Sequence, residues 1–411
     1  MKILLATYWS IPHLGGVWSY MQQLKKSLEN YGHEVDLLGF GEDNTIVHIA
    51  NTGKKVAKDD LLPFLQAKMT PELYPNLYLN NLVEYTEFQR YVYELGAVYL
   101  GLDEYDLIHT QDVISTASIN RVRNPNTPLV ASLHGSVAHE IRYQLQTIHK
   151  SPNSYLARVD FEELEHIGAT SSDVSIVANH WLENILMEEF NVPQSQLRVM
   201  HYGFDTEQFI KQKNYPTLLE RPKDKKVILF SGRLVELKGV QYLIQALSKL
   251  KAVRQDWVCW IVGDGELKSE LKLLTKSLKL ENDIFFFGSR DDVPAILTKT
   301  NIYVHPSLID NQPLSLIEAQ LAGKPSIVSD VGGLPEMVNH GVNGLLVEPS
   351  DVHGLFVGLN RLLTDSILAK NLGNNAKKWG MTHWSFETGL KKVLDLYEEV
   401  TSKKKIGDVH E

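Results

Sequence analysis

The sequence has a single cysteine, Cys259, which lies in the apolar run from Trp257 to Val262. One thiol per chain excludes an internal disulfide framework, and it argues against a cysteine-based metal site. Apolar neighbours on both sides favour a buried small hydrophobe over a reactive thiol.

An excess of positive charge and a long apolar stretch are also lacking. With 41 Lys and Arg against 50 Asp and Glu, the formal net charge is -9, so the chain has no global basic field for holding nucleic acid. No apolar run is long enough to cross a bilayer, and the one after Met1 is too short for a signal peptide. We therefore expect a cytoplasmic protein, with peripheral contact at the inner face of a membrane left open.

Short apolar runs alternate with helical patterns along the chain, which predicts parallel sheets covered by helices. The alternation occurs in two series, and the polar segment 211–226 between them has the composition of a linker. We predict an α/β fold with two doubly wound, Rossmann-like domains facing each other across a cleft. The N-terminal domain is expected over 1–205, completed by a C-terminal helix at about 385–405, and the C-terminal domain over 206–384.

One stretch, residues 61–100, is rich in Tyr and Phe and interrupts the first series. For it we favour an extra helical pair packed on the first sheet over an acceptor-binding insertion. The strands expected in the two series are Ile3 to Tyr8, Glu34 to Phe40, Leu107 to Thr110, Leu129 to Leu133, Val174 to Ala178, Arg198 to Tyr202, Val227 to Gly232, Trp257 to Val262, Ile284 to Phe287, Ile302 to His305, Ser326 to Ser329 and Leu345 to Val347.

Two cations, Arg233 and Lys238, follow the predicted strand that ends at Gly232, in a strand-to-helix loop. Side chains of this kind in a crevice are well placed to hold a diphosphate. An isolated pair of this kind is more typical of ordinary charges on a solvated loop. The prediction of a diphosphate site therefore depends on further motifs in the sequence.

A second segment, Ser307 to Pro325, carries an acidic pair, Asp310 and Glu318, around a helix start. Pro313 suits the first turn of a helix, because its missing N–H has no partner there anyway. The free N–H groups of Leu314 and Ser315 would then form a phosphate site at the positive end of the helix dipole.

Further short motifs accompany these two segments, each weak alone but specific in order and spacing. They are Gly15-Gly16, Tyr105-Asp-Leu-Ile-His109, His134, Gly203-Phe-Asp205, Gly232-Arg233 with Lys238-Gly239, Val262-Gly-Asp-Gly265, Phe287-Gly288, His305-Pro306-Ser307, the Asp310 and Glu318 pair, Gly332-Gly333-Leu-Pro-Glu336 and Asn343-Gly344-Leu-Leu-Val347. Together they make the chain resemble a GT-B glycosyltransferase of glycosyltransferase family 4, the glycosyl transferases group 1. The resemblance extends over nearly the whole chain.

The resemblance implies a donor-binding role for several residues. Arg233 and Lys238 match the pair that binds the donor diphosphate. Leu314 and Ser315 match main-chain donors to phosphate. Glu318 matches the second glutamate of the family's acidic pair, which holds the nucleotide ribose.

Other matches concern the sugar, the base and the donor loop. Asp310 matches the first acidic residue, which faces the donor sugar, although the family has glutamate there. His134 matches a histidine near the transferred sugar. Two further sets complete the site: the donor-approaching loop with Gly15 and Gly16, and the base-contacting main chain at Ser289 and Arg290.

The implied activity is transfer of a hexose-type sugar from a nucleotide-diphosphate sugar with retention of anomeric configuration. UDP-sugar is the expected donor, with GDP- or ADP-sugar as alternatives, and the acceptor is a glycan, a lipid-linked molecule or a small molecule, in cell-surface polysaccharide or glycoconjugate biosynthesis. No cofactor is expected, and no required metal, because no His-Glu-x-x-His or comparable ligand spacing occurs. No nucleic-acid partner is expected, and the oligomeric state is left open.

Three alternatives compete with this interpretation. A nicotinamide dehydrogenase is disfavoured because Lys268 occupies the third glycine position after Gly263-Asp-Gly265, and because the loop with Gly15 and Gly16 also lacks the dinucleotide-binding pattern. A catalytically weak or inactive GT-B-like carbohydrate-binding protein is supported by the shorter Asp310 alone. A GT-B sugar-nucleotide epimerase would release an altered sugar nucleotide without any acceptor.

Overall fold

The computed structural model describes residues 1–12, 16–147 and 154–407. The chain divides into two compact units, Met1–His201 with Leu390–Glu411, and Tyr202–Gly389. Both are α/β units built on largely parallel sheets, as the alternating pattern predicts.

The first unit has a sheet of eight strands within the described residues, in the order β4-β3-β2-β1-β5-β6-β7-β8. Its strands are β1 Lys2–Ser10, β2 Glu34–Phe40, β3 Ile46–Ile49, β4 Lys55–Ala57, β5 Leu107–Thr110, β6 Leu129–Leu133, β7 Val174–Val177 and β8 Leu197–Val199. Its helices are α1 Gly16–Asn30, α2 Lys58–Lys68, α3 Asn81–Leu100, α4 Val113–Val122, α5 Val137–Thr147, α6 Ser154–Thr170 and α7 His180–Glu188, and it includes most of the C-terminal helix α16, Phe386–Gly407.

The second unit has a six-stranded sheet in the order β11-β10-β9-β12-β13-β14, and every strand pair in it is parallel. Its strands are β9 Lys226–Ser231, β10 Trp257–Val262, β11 Ile284–Gly288, β12 Ile302–His305, β13 Ser326–Ser329 and β14 Leu345–Val347. Its helices are α8 Thr206–Gln212, α9 Val240–Val253, α10 Lys268–Ser277, α11 Val293–Lys299, α12 Leu314–Leu321, α13 Leu334–Met337, α14 Val352–Thr364 and α15 Ser366–His383.

Strand β9 shows why the second sheet is covered on both faces. Its residues alternate between two hydrophobic clusters, with Ile228 and Phe230 in one and Val227 and Leu229 in the other. Because successive side chains of a strand point to opposite faces, each face of the sheet needs its own layer of helices. A fully buried run of Val, Ile, Leu and Phe is therefore the signature of a doubly wound sheet.

The aromatic stretch forms two helices, α2 and α3, joined by a 3-10 turn over Pro75–Leu79. Helix α3 begins where the Asn80 side chain accepts hydrogen bonds from two backbone N–H groups, and it ends at Gly101 with φ of 90°. It packs on the first sheet, burying Tyr93 and leaving Tyr85 and Tyr99 exposed. The predicted helical pair is confirmed.

The predicted strands are confirmed, with two corrections. The strand expected at Arg198 to Tyr202 is Leu197–Val199, and the short antiparallel strands β3 and β4 were not predicted. The segment 211–226 is irregular only over 213–225, because α8 extends to Gln212 and β9 begins at Lys226. Within 1–12, 16–147 and 154–407, no helix has both the length and the apolar character needed to cross a bilayer.

Candidate functional site

The candidate site lies in the second unit, at the carboxyl ends of β9 and β12. These neighbouring strands are the point where the order of the sheet reverses, since chain order runs from β9 through β10 to β11 on one side and from β12 to β14 on the other. Open α/β sheets bind ligands in the crevice at such a switch point, outside the carboxyl ends of the strands.

Two loops form this crevice, and glycine allows them to touch. Gly239 has φ of 65°, and a Cβ there would lie 1.9 Å from the Pro306 carbonyl oxygen. The backbone N–H of Leu308 donates to the Leu237 carbonyl at 2.8 Å. The loop after β9 is thereby fixed against the loop after β12.

Lys238 and Asp310, one from each loop, form an ion pair with Nζ and Oδ2 2.5 Å apart. The same carboxylate oxygen lies 2.7 Å from His305 Nε2 and accepts a hydrogen bond from Ser307 Oγ at 3.1 Å. Burial alone opposes ionisation of this carboxyl group, but the Lys238 ammonium and the His305 hydrogen bond hold the pKa of Asp310 well below its usual value.

His305 is buried, with 1% of its side chain exposed, and this burial lowers its pKa. We assign it as neutral. Because the Asp310 carboxylate can only accept, Nε2 carries the proton, and Nδ1 accepts from the Tyr303 hydroxyl at 3.1 Å. The Tyr303 hydroxyl also lies 2.9 Å from Ser315 Oγ, in the first turn of α12.

The start of α12 presents free backbone donors. Pro313 is the residue before the helix, with extended backbone, rather than a member of its first turn. Its carbonyl accepts from Leu316 and Ile317, whereas the N–H groups of Leu314 and Ser315 have no acceptor among the described residues. Unpaired amides at the positive end of a helix dipole are suited to an anion.

Glu318 lies one turn further along α12 and is largely buried. Its carboxylate has no hydrogen-bond or ion-pair partner in the part of the chain that the structure describes, and burial raises its pKa to about 7. Such a group is costly unless a ligand supplies donors.

The remaining predicted residues of this unit have different surroundings. Arg233 is exposed, and no ion pair joins it to another described side chain. Ser289 is exposed, directly after β11. Arg290 donates two hydrogen bonds of 2.6 Å to Asp292, so its guanidinium is already engaged.

Gly16 and His134 belong to the first unit, and Gly15 lies outside the described residues. Gly16 is the first residue of α1. His134 follows β6; its Nε2 is 3.0 Å from Gln111 Oε1, and its ring meets Tyr20 edge-on at 5.3 Å. Burial lowers the pKa of His134 to about 3, so the ring is neutral at ordinary pH.

The structure brings Lys238, Asp310 and Ser315 into one hydrogen-bonded set through Tyr303 and His305, for which no individual role was predicted. Tyr303 and His305 are two apart on β12, so both point to the same face. The available signal was a pair of polar side chains at alternate positions of a buried strand. Within the described ranges, no group of three or more His, Cys, Asp and Glu has the arrangement of a metal site.

Comparisons with known families cover most of the chain. Residues 14–208 match the model of glycosyltransferase family 4, and residues 211–379 match that of glycosyl transferases group 1. The chain belongs to this family and is a glycosyltransferase.

Individual relatives agree with this assignment. An uncharacterized glycosyltransferase of Methanocaldococcus jannaschii is 27% identical over 97% of this chain and 98% of its own length. Sucrose-phosphate synthase from Thermosynechococcus elongatus has a similar structure, with a TM-score of 0.75 and 21% identity over 98% of this chain and 100% of its own. Anabaena HepE, solved with UDP-glucose, gives a TM-score of 0.65 and 20% identity over 97% of this chain and 100% of its own. The predicted GT-B fold is confirmed.

Proposed function

We propose that this glycosyltransferase moves a hexose-type sugar from a UDP-sugar to an acceptor with retention of configuration. The observation that carries the proposal is the face of α12, where two amides and then the largely buried carboxylate of Glu318 have no partner in the part of the chain that the structure describes. The amides suit a diphosphate, and the carboxylate suits the hydroxyls of a ribose. The UDP-glucose complex of the structurally similar HepE supports UDP as the carrier, with GDP- and ADP-sugars as the alternatives to test.

In the proposed reaction, the bond between the sugar's anomeric carbon and the diphosphate oxygen breaks, and the electron pair leaves with the diphosphate. Lys238, Arg233 and the start of α12 stabilise the negative charge that develops there. The acceptor hydroxyl attacks the same face of the sugar, and its proton passes to a phosphate oxygen of the leaving group. This route needs no carboxylate nucleophile.

Asp310 and His134 are proposed to act near the transferred sugar. The ionised Asp310 places negative charge next to the positive charge that develops on the sugar. In this proposal the Lys238 ammonium pairs with both Asp310 and the diphosphate. Because the Arg290 guanidinium is held by Asp292, we assign base contact to the main chain of Ser289 and Arg290. Gly15 and Gly16 are proposed to approach the donor through their backbone.

We also propose an acceptor class, a cellular location and independence from metal ions. We infer a glycan, lipid-linked or small-molecule acceptor in cell-surface polysaccharide or glycoconjugate biosynthesis. We also infer action in the cytoplasm, with peripheral membrane contact, and catalysis without a metal. Support for the last point comes from Arg233, Lys238 and the α12 dipole, which together supply positive charge to a diphosphate.

The test is calorimetric titration of the purified chain with UDP, GDP and ADP. Lys238→Ala should weaken UDP binding by about 1.5 to 3 kcal/mol, roughly 10- to 150-fold, the range for a hydrogen bond to a charged group. Lys251→Ala is the matched control, because Lys251 also pairs with an aspartate, Asp283 at 2.7 Å, but away from the two loops. Equal UDP affinity in the wild type and Lys238→Ala would contradict the diphosphate site.

Product analysis then separates the candidate activities. Incubation with UDP-glucose and an acceptor panel should release UDP and form a glycoside. Release of an altered free sugar nucleotide without acceptor would indicate an epimerase. Binding without turnover, across several donors and acceptors, would favour an inactive carbohydrate-binding protein, the alternative that the shorter Asp310 side chain raises.

A further inference from the structure

The two loops of the candidate site are joined by a continuous set of hydrogen bonds with a buried centre. We call this set the donor relay, and its members in order are Ser315, Tyr303, His305, Asp310 and Lys238. The successive distances are 2.9 Å, 3.1 Å, 2.7 Å and 2.5 Å. One end is the first turn of α12, and the other is the cation of the neighbouring loop.

The middle of the donor relay is closed to solvent. Tyr303 is fully buried and His305 has 1% of its surface exposed, whereas the side chains of Lys238 and Asp310 retain 16% and 12%. A ligand can therefore reach the ends of the relay but not its centre. Tyr303 and His305 therefore cannot contact the sugar nucleotide, and the polar atoms of His305 face Tyr303, Asp310 and the Ser307 hydroxyl.

The proton on His305 sets the orientation of the central bonds of the relay. With that proton on Nε2, facing the carboxylate, Nδ1 requires the Tyr303 hydroxyl as its donor. The Tyr303 oxygen also lies 2.9 Å from Ser315 Oγ, so the same hydroxyl connects His305 to the first turn of α12.

We propose that Tyr303 and His305 are positioning residues that fix the Lys238 ammonium relative to the free amides at the start of α12. The inference rests on the proposed function, because it assigns those two ends to one diphosphate. Groups that bind one anion in concert gain from being held at the right separation before the ligand arrives.

The experiment is a double-mutant cycle read by UDP titration. Tyr303→Phe removes the central hydroxyl, keeps the ring, and should weaken UDP binding about three- to tenfold, as expected for one lost hydrogen bond. In the Lys238→Ala background the same substitution should change UDP affinity less than twofold, because the cation that the relay positions is gone.

Tyr93→Phe is the control, since Tyr93 is also fully buried, in the first unit, and its hydroxyl has no partner among the described residues. It should leave UDP affinity unchanged in both backgrounds. His305→Gln, whose amide can still donate to Asp310, should bind UDP better than His305→Leu, and this pair also tests the relay should Tyr303→Phe fail to fold.

The outcomes distinguish the two proposals. If the wild type binds none of UDP, GDP and ADP, the proposed function fails and the relay with it. If Lys238→Ala weakens binding but Tyr303→Phe does not, or if the Tyr303→Phe effect persists undiminished in the Lys238→Ala background, only the relay is wrong.

Discussion

At the scale of single residues, two carboxylates at the start of α12 have opposite electrostatics. Asp310, in the loop before the helix, is held ionised by a lysine and a histidine, while Glu318, within the helix, is largely buried and has no partner among the described residues. The pKa of Asp310 is lowered and that of Glu318 is raised to about 7. The difference arises from partners and not from burial, because both are removed from water.

This contrast gives a prediction for Glu318→Gln. The pKa of Glu318 is about 7 in the folded chain and near its ordinary value when unfolded, so the folded state binds the extra proton between these values. Its stability contribution is therefore present below the unfolded pKa and is lost as pH rises through 7. At pH 8 we expect Glu318→Gln to unfold with a free energy about 1 to 3 kcal/mol higher than the wild type, and near pH 4 with little difference.

Urea unfolding at the two pH values measures the effect, with the exposed Glu281→Gln as the control for the amide substitution. A Glu318→Gln variant that is less stable at pH 8 would show that the carboxylate has a partner in the folded chain. The same variant should bind UDP more weakly, which would make Glu318 a case of stability given up for binding.

At the scale of elements, the candidate site depends on backbone contact between the β9 and β12 loops as well as on their side chains. Gly239 and Gly341 both have left-handed backbone, with φ of 65° and 75°. A Cβ at Gly239 would overlap the Pro306 carbonyl oxygen, whereas a Cβ at Gly341 would meet nothing within 4 Å. The two glycines thus share conformational strain and differ in available space.

We predict that Gly341→Ala lowers the free energy of unfolding by about 1 to 2 kcal/mol, the cost of left-handed backbone for an L-residue. Gly239→Ala should cost about 1 to 3 kcal/mol more, the range for overpacking, and should also weaken UDP binding because Lys238 is adjacent. Urea unfolding and UDP titration of both variants measure this. If Gly239→Ala and Gly341→Ala lose equal stability and both keep the UDP affinity of the wild type, then close contact between the β9 and β12 loops is not needed for UDP binding.

Elements with a strong local pattern were predictable from the sequence. Strand β10, from Trp257 to Val262, is a short unbroken apolar run, which is typical of a strand buried on both faces. Strands β3 and β4 were missed because they are short, and β3, next to the edge strand β4, alternates between buried and partly exposed residues.

The candidate site was predictable as a set of loops but not as a set of contacts. Spacing indicated that Lys238 and Asp310 lie in loops between strands and helices and that Glu318 lies within the helix after Asp310. The pairing of Lys238 with Asp310 depends on β9 lying beside β12, with Ile228 opposite Ile302, and no local signal encodes that neighbour. The role of His305 depends in turn on this pairing.

At the scale of the whole molecule, the proposed donor groups are concentrated in one unit. The groups proposed for the diphosphate, ribose and base all lie in Tyr202–Gly389, while His134 and Gly16 lie in the other unit. UDP lacks the transferred sugar, so we expect its contacts to be those of the second unit alone. This distribution makes the location of UDP binding testable without reference to the acceptor.

We therefore predict that UDP slows hydrogen exchange in the loop 232–239 and the segment 307–318 and leaves the first unit unchanged. The amides of Leu314 and Ser315 have no acceptor among the described residues, so they should exchange rapidly until a phosphate oxygen accepts from them. Peptide-level exchange measured by mass spectrometry, with UDP at about 100 times its Kd, resolves these segments and corresponds to about 2.7 kcal/mol of stabilisation. The same UDP concentration should give weaker protection in Lys238→Ala, because its occupancy is lower. Protection confined to residues of the first unit would place the nucleotide elsewhere and contradict the roles assigned to Lys238 and Glu318.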